Sequence, residues 1–164
     1  MLLDKLNIQS TNILGWSDGG IIAVELAIRQ PKRLNKIIAF GANSHPSGVK
    51  PNVTENSRFR EFLTRANADY LAMSPEPNRW SEFLKSITKM WANEPNFSDL
   101  ELQNITVPTL VLGGQQEEAI YPAHIEELSK KIPNSKLIMM PETGHFAMLE
   151  KPEKFNEIVR SFLK

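Results

Sequence analysis

Ser17 lies in the stretch Gly15-Trp16-Ser17-Asp18-Gly19-Gly20, with a glycine two residues before it and another two residues after it. A serine in this G-x-S-x-G spacing, between a short apolar run and a helix, has the pattern of a nucleophile elbow. Such a turn forces its central residue into a strained backbone conformation, and side chains at positions 15 and 19 are expected to collide with the strand or the helix. The hydroxyl then stands exposed, with the N-terminus of the next helix beneath it. That N-terminus offers free backbone N–H groups and a partial positive charge to an oxyanion. The chemistry this permits is nucleophilic attack on an acyl carbonyl, once a base takes the serine proton. The other reading is a loop that merely turns, but the flanking strand and helix are those the pattern requires.

A base and an acid are available further along. His145 closes the stretch Pro141-Glu142-Thr143-Gly144-His145, and Glu117 and Glu118 sit side by side in the loop Gln115 to Tyr121. Imidazole is the side chain suited to taking a proton from a hydroxyl and returning it to a leaving group. A buried carboxylate would fix its tautomer and stabilise its charged form. The bland reading of the two glutamates is a solvated acidic loop. His45 reads as a loop histidine that could line a pocket mouth, and His124 as an exposed residue in a helix's first turn. Glu117, Glu118 and His124 match no metal-ligand spacing, so neither a metal nor a cofactor is expected. Met139 and Met140 read as core filling.

These residues need elements to hold them. Asn12 to Trp16 reads as a strand and the residues after Ser17, to about Arg29, as a helix that stops before Pro31. That helix is apolar nearly all round, the pattern of a buried helix. Lys36 to Ala42 is a second strand, apolar enough to be covered on both faces. Helices follow over Ser57 to about Met73 and Trp80 to about Ala92. Their aromatics, with Phe97, read as a small core of their own rather than a ligand box. Thr109 to Leu112 is a third strand. Pro122 starts a helix with Ile125, Leu128 and Ile132 on one face. Lys136 to Met140 is a fourth strand, and Pro152 opens a last helix with Phe155, Ile158, Val159, Phe162 and Leu163 on one face. Alternation of this kind predicts an α/β fold with about four parallel strands flanked by helices. The expected division is a core of residues 1–42 and 104–164 with a helical cap or lid insert at 43–103. At the carboxyl ends of such strands Ser17, Glu117 and His145 would gather.

The composition excludes several classes. The 164 residues carry 19 Lys+Arg against 19 Asp+Glu, so no charge excess advertises nucleic acid or an anionic membrane as a partner. The absence of cysteine excludes thiolate catalysis and disulfides. No apolar run is long enough to cross a bilayer, and the first residues lack a signal-peptide layout, so a cytoplasmic location is expected.

With those residues in view, the chain resembles the second half of an α/β-hydrolase. The elbow, the phrase Phe40-Gly41-Ala42-Asn43, the strand end Val111-Leu112-Gly113-Gly114 and Gly144-His145-Phe146 carry the resemblance. Trp16-Ser17-Asp18-Gly19-Gly20 is similar to the elbow of the valacyclovir-hydrolase (biphenyl-hydrolase-like) branch. The resemblance implies a serine hydrolase of small esters or amides, with Ser17 as nucleophile, His145 as general base and the acid in the loop after Gly114. Glu117 falls where the family places an aspartate, with Glu118 as the alternative on register from Gly114; the longer side chain requires a slightly withdrawn backbone. The backbone N–H of Asp18 is implied as one oxyanion donor, and Trp16 and Asp18 as substrate-binding residues, Asp18 for an amino group. The family draws its second oxyanion donor from an earlier strand loop, and losing one donor costs about 2.7–4 kcal/mol of transition-state stabilisation. The strand Asn12 to Trp16 would then be an open edge, predicting a homo-oligomer or pairing with a complementing N-terminal half. The competing reading is a catalytically inactive fragment or interaction module.

Overall fold

The computed structural model describes residues 2–164; Met1, the first residue of the expected 1–42 core segment, lies outside the described residues. In chain order the elements are α1 (Leu2–Lys5), β1 (Thr11–Trp16), α2 (Asp18–Arg29), β2 (Leu34–Phe40), α3 (Ser57–Met73), α4 (Trp80–Trp91) and α5 (Asp99–Gln103). They continue with β3 (Thr109–Gly114), α6 (Pro122–Lys131), β4 (Ser135–Met140), α7 (Ala147–Glu150) and α8 (Pro152–Leu163). The four strands form one parallel sheet in the order β1-β2-β3-β4. Trp16 is in register with Phe40, and Phe40 with Leu112, so the strands end at a common rim.

Both faces of the sheet are covered, as the unbroken apolar character of β2 requires. On one face Ile37 and Ala39 of β2 and Val111 of β3 pack with Ala23, Val24 and Ala27 of α2 and Ile125 and Leu128 of α6. On the other, Ile38, Phe40, Leu110 and Leu112 pack with Phe155 and Val159 of α8. This alternation is the two-residue period of a strand sorting its side chains to opposite layers. Prolines at the first turns of α6 and α8 start both helices where the sequence placed them.

One expectation about burial is corrected, and the edge position expected of β1 is observed. Helix α2 is not buried all round: Ile22 is 58% exposed, and only one face of the helix packs on the sheet. β1 lies at a sheet edge, with Leu14 also exposed. The second strand stops at Phe40 instead of Ala42, because Gly41 takes φ +60, a left-handed conformation that ends the extended run. Among the described residues no helix is long and apolar enough to cross a membrane.

Candidate active site

The residue at the end of β1 turns sharply. Ser17 has φ 54 and ψ −120, a conformation a side-chain-bearing residue adopts only when its surroundings impose it. The imposing contacts are backbone ones. Ser17 N–H donates to Phe40 O at 2.8 Å, and Ser17 O accepts from Gly20 N–H at 2.8 Å and Ile21 N–H at 3.1 Å. Ser17 stands at the N-cap position of α2 without using its hydroxyl to cap the helix, which leaves Oγ uncommitted. Among the described residues the Asp18 N–H has no hydrogen-bond partner, the ordinary condition of a helix's first turn.

The two glycines of the pattern are not equivalent. A Cβ on Gly15 would lie 2.0 Å from Gly19 O, so position 15 tolerates no side chain. A Cβ on Gly19 would meet nothing within 4 Å, contrary to the expected collision there. The second close approach is at Gly20, where a Cβ would stand 3.0 Å from Ala42 Cβ.

Glu117 and His145 form a buried pair, each 1% exposed, with His145 Nδ1 2.6 Å from Glu117 Oε1. The same Oε1 accepts from the N–H groups of Ala119 at 2.9 Å and Ile120 at 3.3 Å. The carboxylate therefore folds back on its own loop, which answers how the longer glutamate side chain fits. Lys50 Nζ donates to Glu117 O at 2.6 Å and holds that loop from outside. Glu117 Oε2 is buried without a partner and lies on the side of Gly41, where a Cβ would be 3.6 Å from it and 3.0 Å from His145 Nδ1 and Cε1. Gly41 thus serves the site twice: its positive φ turns the chain, and its missing side chain makes room for the imidazole.

Glu118 is not a solvated neighbour. Its Oε2 accepts from the backbone N–H of His145 at 2.6 Å, and its side chain is only 9% exposed. Both glutamates of the loop therefore bind the same histidine, one at the ring and one at the main chain. Trp16 adds a third hold, with Nε1–H donating to His145 O at 2.8 Å.

Ser17 and His145 open onto one cavity of about 670 Å³ whose other walls are α3 and α4. Among the described residues no hydrogen bond joins their side chains; such bonds often tighten only when substrate is present. The aromatics of α3 and α4 are not a separate core. Phe59, Phe62, Tyr70, Trp80, Phe83 and Trp91 all line this cavity, and no residue of α4 is buried. The sequence placed them on common helix faces but carried no signal of what those faces look onto. Asp18 lies at the cavity floor, where both carboxylate oxygens accept from Trp91 Nε1–H at 3.0 Å. This link between the elbow and α4 had no signal in the sequence.

His45 is exposed, and its ring nitrogen Nδ1 pairs with Ser47. His124 is half-buried rather than exposed. Its Nε2 accepts from Ser44 N–H at 3.1 Å, and burial lowers its pKa below the ordinary 6.5.

Residues 2–158 match the model of the alpha/beta hydrolase family. Serine hydrolase BPHL of Mus musculus is 27% identical over 99% of this chain. A 2-hydroxy-6-oxononadienedioate/2-hydroxy-6-oxononatrienedioate hydrolase of Cupriavidus pinatubonensis is 30% identical over 99% of the chain. The chain spans 58% of the length of the first and 65% of the second. In fold it is similar to a meta-cleavage product hydrolase from Pseudomonas fluorescens IP01, with a TM-score of 0.80 at 20% identity, covering 99% of this chain and 67% of that one. Four parallel strands under helices, an elbow serine at their rim and a match along almost the whole length lead to one assignment: this chain belongs to the alpha/beta hydrolase family.

Proposed function

We propose that the chain is a serine hydrolase of small carboxylic esters or amides, acting through Ser17, His145 and Glu117 and an acyl-enzyme. The observation that carries this is the 2.6 Å bond between His145 Nδ1 and Glu117 Oε1, buried behind a cavity that opens at Ser17. With Nδ1–H donating to the carboxylate, Nε2 is the free basic nitrogen. Ser17 Oγ attacks the acyl carbonyl as its proton passes to His145 Nε2. The negative oxygen that develops is met by the Asp18 N–H. The intermediate collapses, and the leaving alcohol or amine takes the proton from Nε2. Water then attacks the acyl-enzyme as its proton passes to Nε2, and collapse of the second intermediate releases the acid while Nε2 returns that proton to Ser17 Oγ. Residues 43–103 act as the lid.

The lining argues for the substrate's charge. It is mostly aromatic and aliphatic, its charged members being Asp18 and Asp69, and no Lys or Arg is among the described residues that line it. Such a wall favours neutral or amine-bearing acyl groups and disfavours a dicarboxylate of the kind named for the Cupriavidus relative. A carboxylate retains acceptor capacity beside the single indole donor, so Asp18 can also take a substrate ammonium.

The test is labelling by a fluorophosphonate together with p-nitrophenyl acetate turnover. Wild type is expected to label and turn over, and Ser17→Ala to do neither. A wild-type chain that fails both assays removes the catalytic reading and leaves a hydrolase-fold binding module.

A further inference from the structure

We propose that Arg58, at the start of α3, is a positioning residue for His145. It ties the helix that walls the cavity to the loop that carries the imidazole. The proposal rests on the reading of His145 as the base.

Two successive amides of that loop are held by two carboxylates from different elements. His145 N–H donates to Glu118 Oε2 at 2.6 Å, and Gly144 N–H donates to Glu150 Oε2 at 2.7 Å. Arg58 Nη1 joins the remaining oxygens, donating to Glu118 Oε1 at 3.0 Å and to Glu150 Oε1. A Cβ on Gly144 would lie 2.0 Å from Glu118 Oε2, so the missing side chain at 144 is what lets the carboxylate lie against the main chain. Without the guanidinium, two like-charged carboxylates would face each other at the back of the histidine loop.

An exposed ion pair is ordinarily worth little. This one differs because each carboxylate is already committed to a backbone N–H, and the Glu118 side chain is only 9% exposed. The acceptors are set before Arg58 arrives. Arg58 is fixed in turn, since the Asn56 side chain caps α3 by accepting from Arg58 N–H at 3.0 Å and Phe59 N–H at 3.3 Å. The next residue, Phe59, packs its ring 6.2 Å from that of His145. The first turn of α3 therefore reaches both the main chain and the ring of residue 145, and a displacement of α3 is transmitted to the imidazole.

Arg58→Ala and Arg58→Lys in the full chain test this. Both carboxylates are bound by one nitrogen, so a lysine ammonium can replace it and the conservative variant should rescue. Amide hydrogen exchange at Gly144 and His145 is read beside kcat and KM for p-nitrophenyl acetate. In Arg58→Ala exchange at both amides is expected to quicken at least tenfold, with kcat falling about tenfold and KM unchanged, because a misplaced base costs rate rather than binding. Arg58→Lys is expected to restore most of both. Unaltered exchange in Arg58→Ala, or a rise in KM with kcat preserved, overturns the proposal. If wild type does not react with the fluorophosphonate, the hydrolase reading fails, and the exchange result alone then upholds or overturns the tether.

Discussion

The carbonyl oxygen of Gly19 lies 2.0 Å from the point where a Cβ on Gly15 would stand. The first turn of α2 thus fills the space that a side chain at the end of β1 would need. Gly15→Ala is expected to destabilise the fold by about 3 kcal/mol, the upper end of the range for overpacked cores, and to move Ser17. Gly19→Ala meets open space on a helix without positive φ and is expected to stabilise by about 0.4–1 kcal/mol. Urea denaturation of the two variants separates the positions.

Glu117 can be neutralised without being removed. All three hydrogen bonds of its carboxylate fall on Oε1, and a glutamine oxygen there can keep all of them with its NH2 in the buried, unpartnered place of Oε2. Glu117→Gln therefore keeps the imidazole oriented but loses the charge that stabilises its protonated form, and kcat is expected to fall about 10²-fold. Glu117→Ala loses orientation as well, with an expected fall of about 10³–10⁴-fold. Equal kcat values in steady-state ester hydrolysis would contradict this ordering.

Asp18→Asn separates the two uses of residue 18. The backbone N–H proposed for the oxyanion is unchanged, and the amide oxygen can still accept from Trp91. The variant is expected to raise KM for an amine-bearing ester about tenfold or more, through loss of the ion pair, while kcat/KM for a neutral ester stays within about twofold. Paired kinetics on the two esters check it.

Stability should also respond to acid through His124. Burial lowers its pKa below 6.5 in the folded chain, and its Nε2 accepts a hydrogen bond that protonation destroys. Between the folded value and 6.5 the unfolded chain binds more protons than the folded one, so stability falls as pH drops through 6.5. The loss stops below the folded value, where both states are protonated. His124→Gln is expected to flatten this part of the profile in thermal melts run from pH 7.5 down to pH 5.

Much of this arrangement was legible in the sequence because it depends on local chemistry. Pro122 and Pro152 mark helix starts, the apolar run of β2 marks a strand covered twice, and the glycine spacing around Ser17 marks the turn. The family resemblance, with register from Gly114, points to Glu117 with Glu118 as the alternative, and it is the Glu117 carboxylate that meets the His145 ring. What could not be read depends on contacts between distant segments. The aromatics of α3 and α4 share helix faces whatever they look onto, so the sequence could not tell a small core from a cavity wall. The exposed reading of His124 failed because Ser44, far away in the chain, supplies its partner. The value of Gly41 emerges only once the His145 ring is in place above it, and Glu118 reads as an ordinary surface acid until its bond to the main chain of residue 145 is seen.

The indole of Trp16 has one more consequence. It grows from β1 at one margin of the sheet, and its Nε1–H grips the main chain of His145, which follows β4 at the opposite margin. The tryptophan acts as a crossbar over the strand tips. A shift of β1 against β4 is therefore expected to carry the imidazole with the residue next to Ser17 rather than to part them.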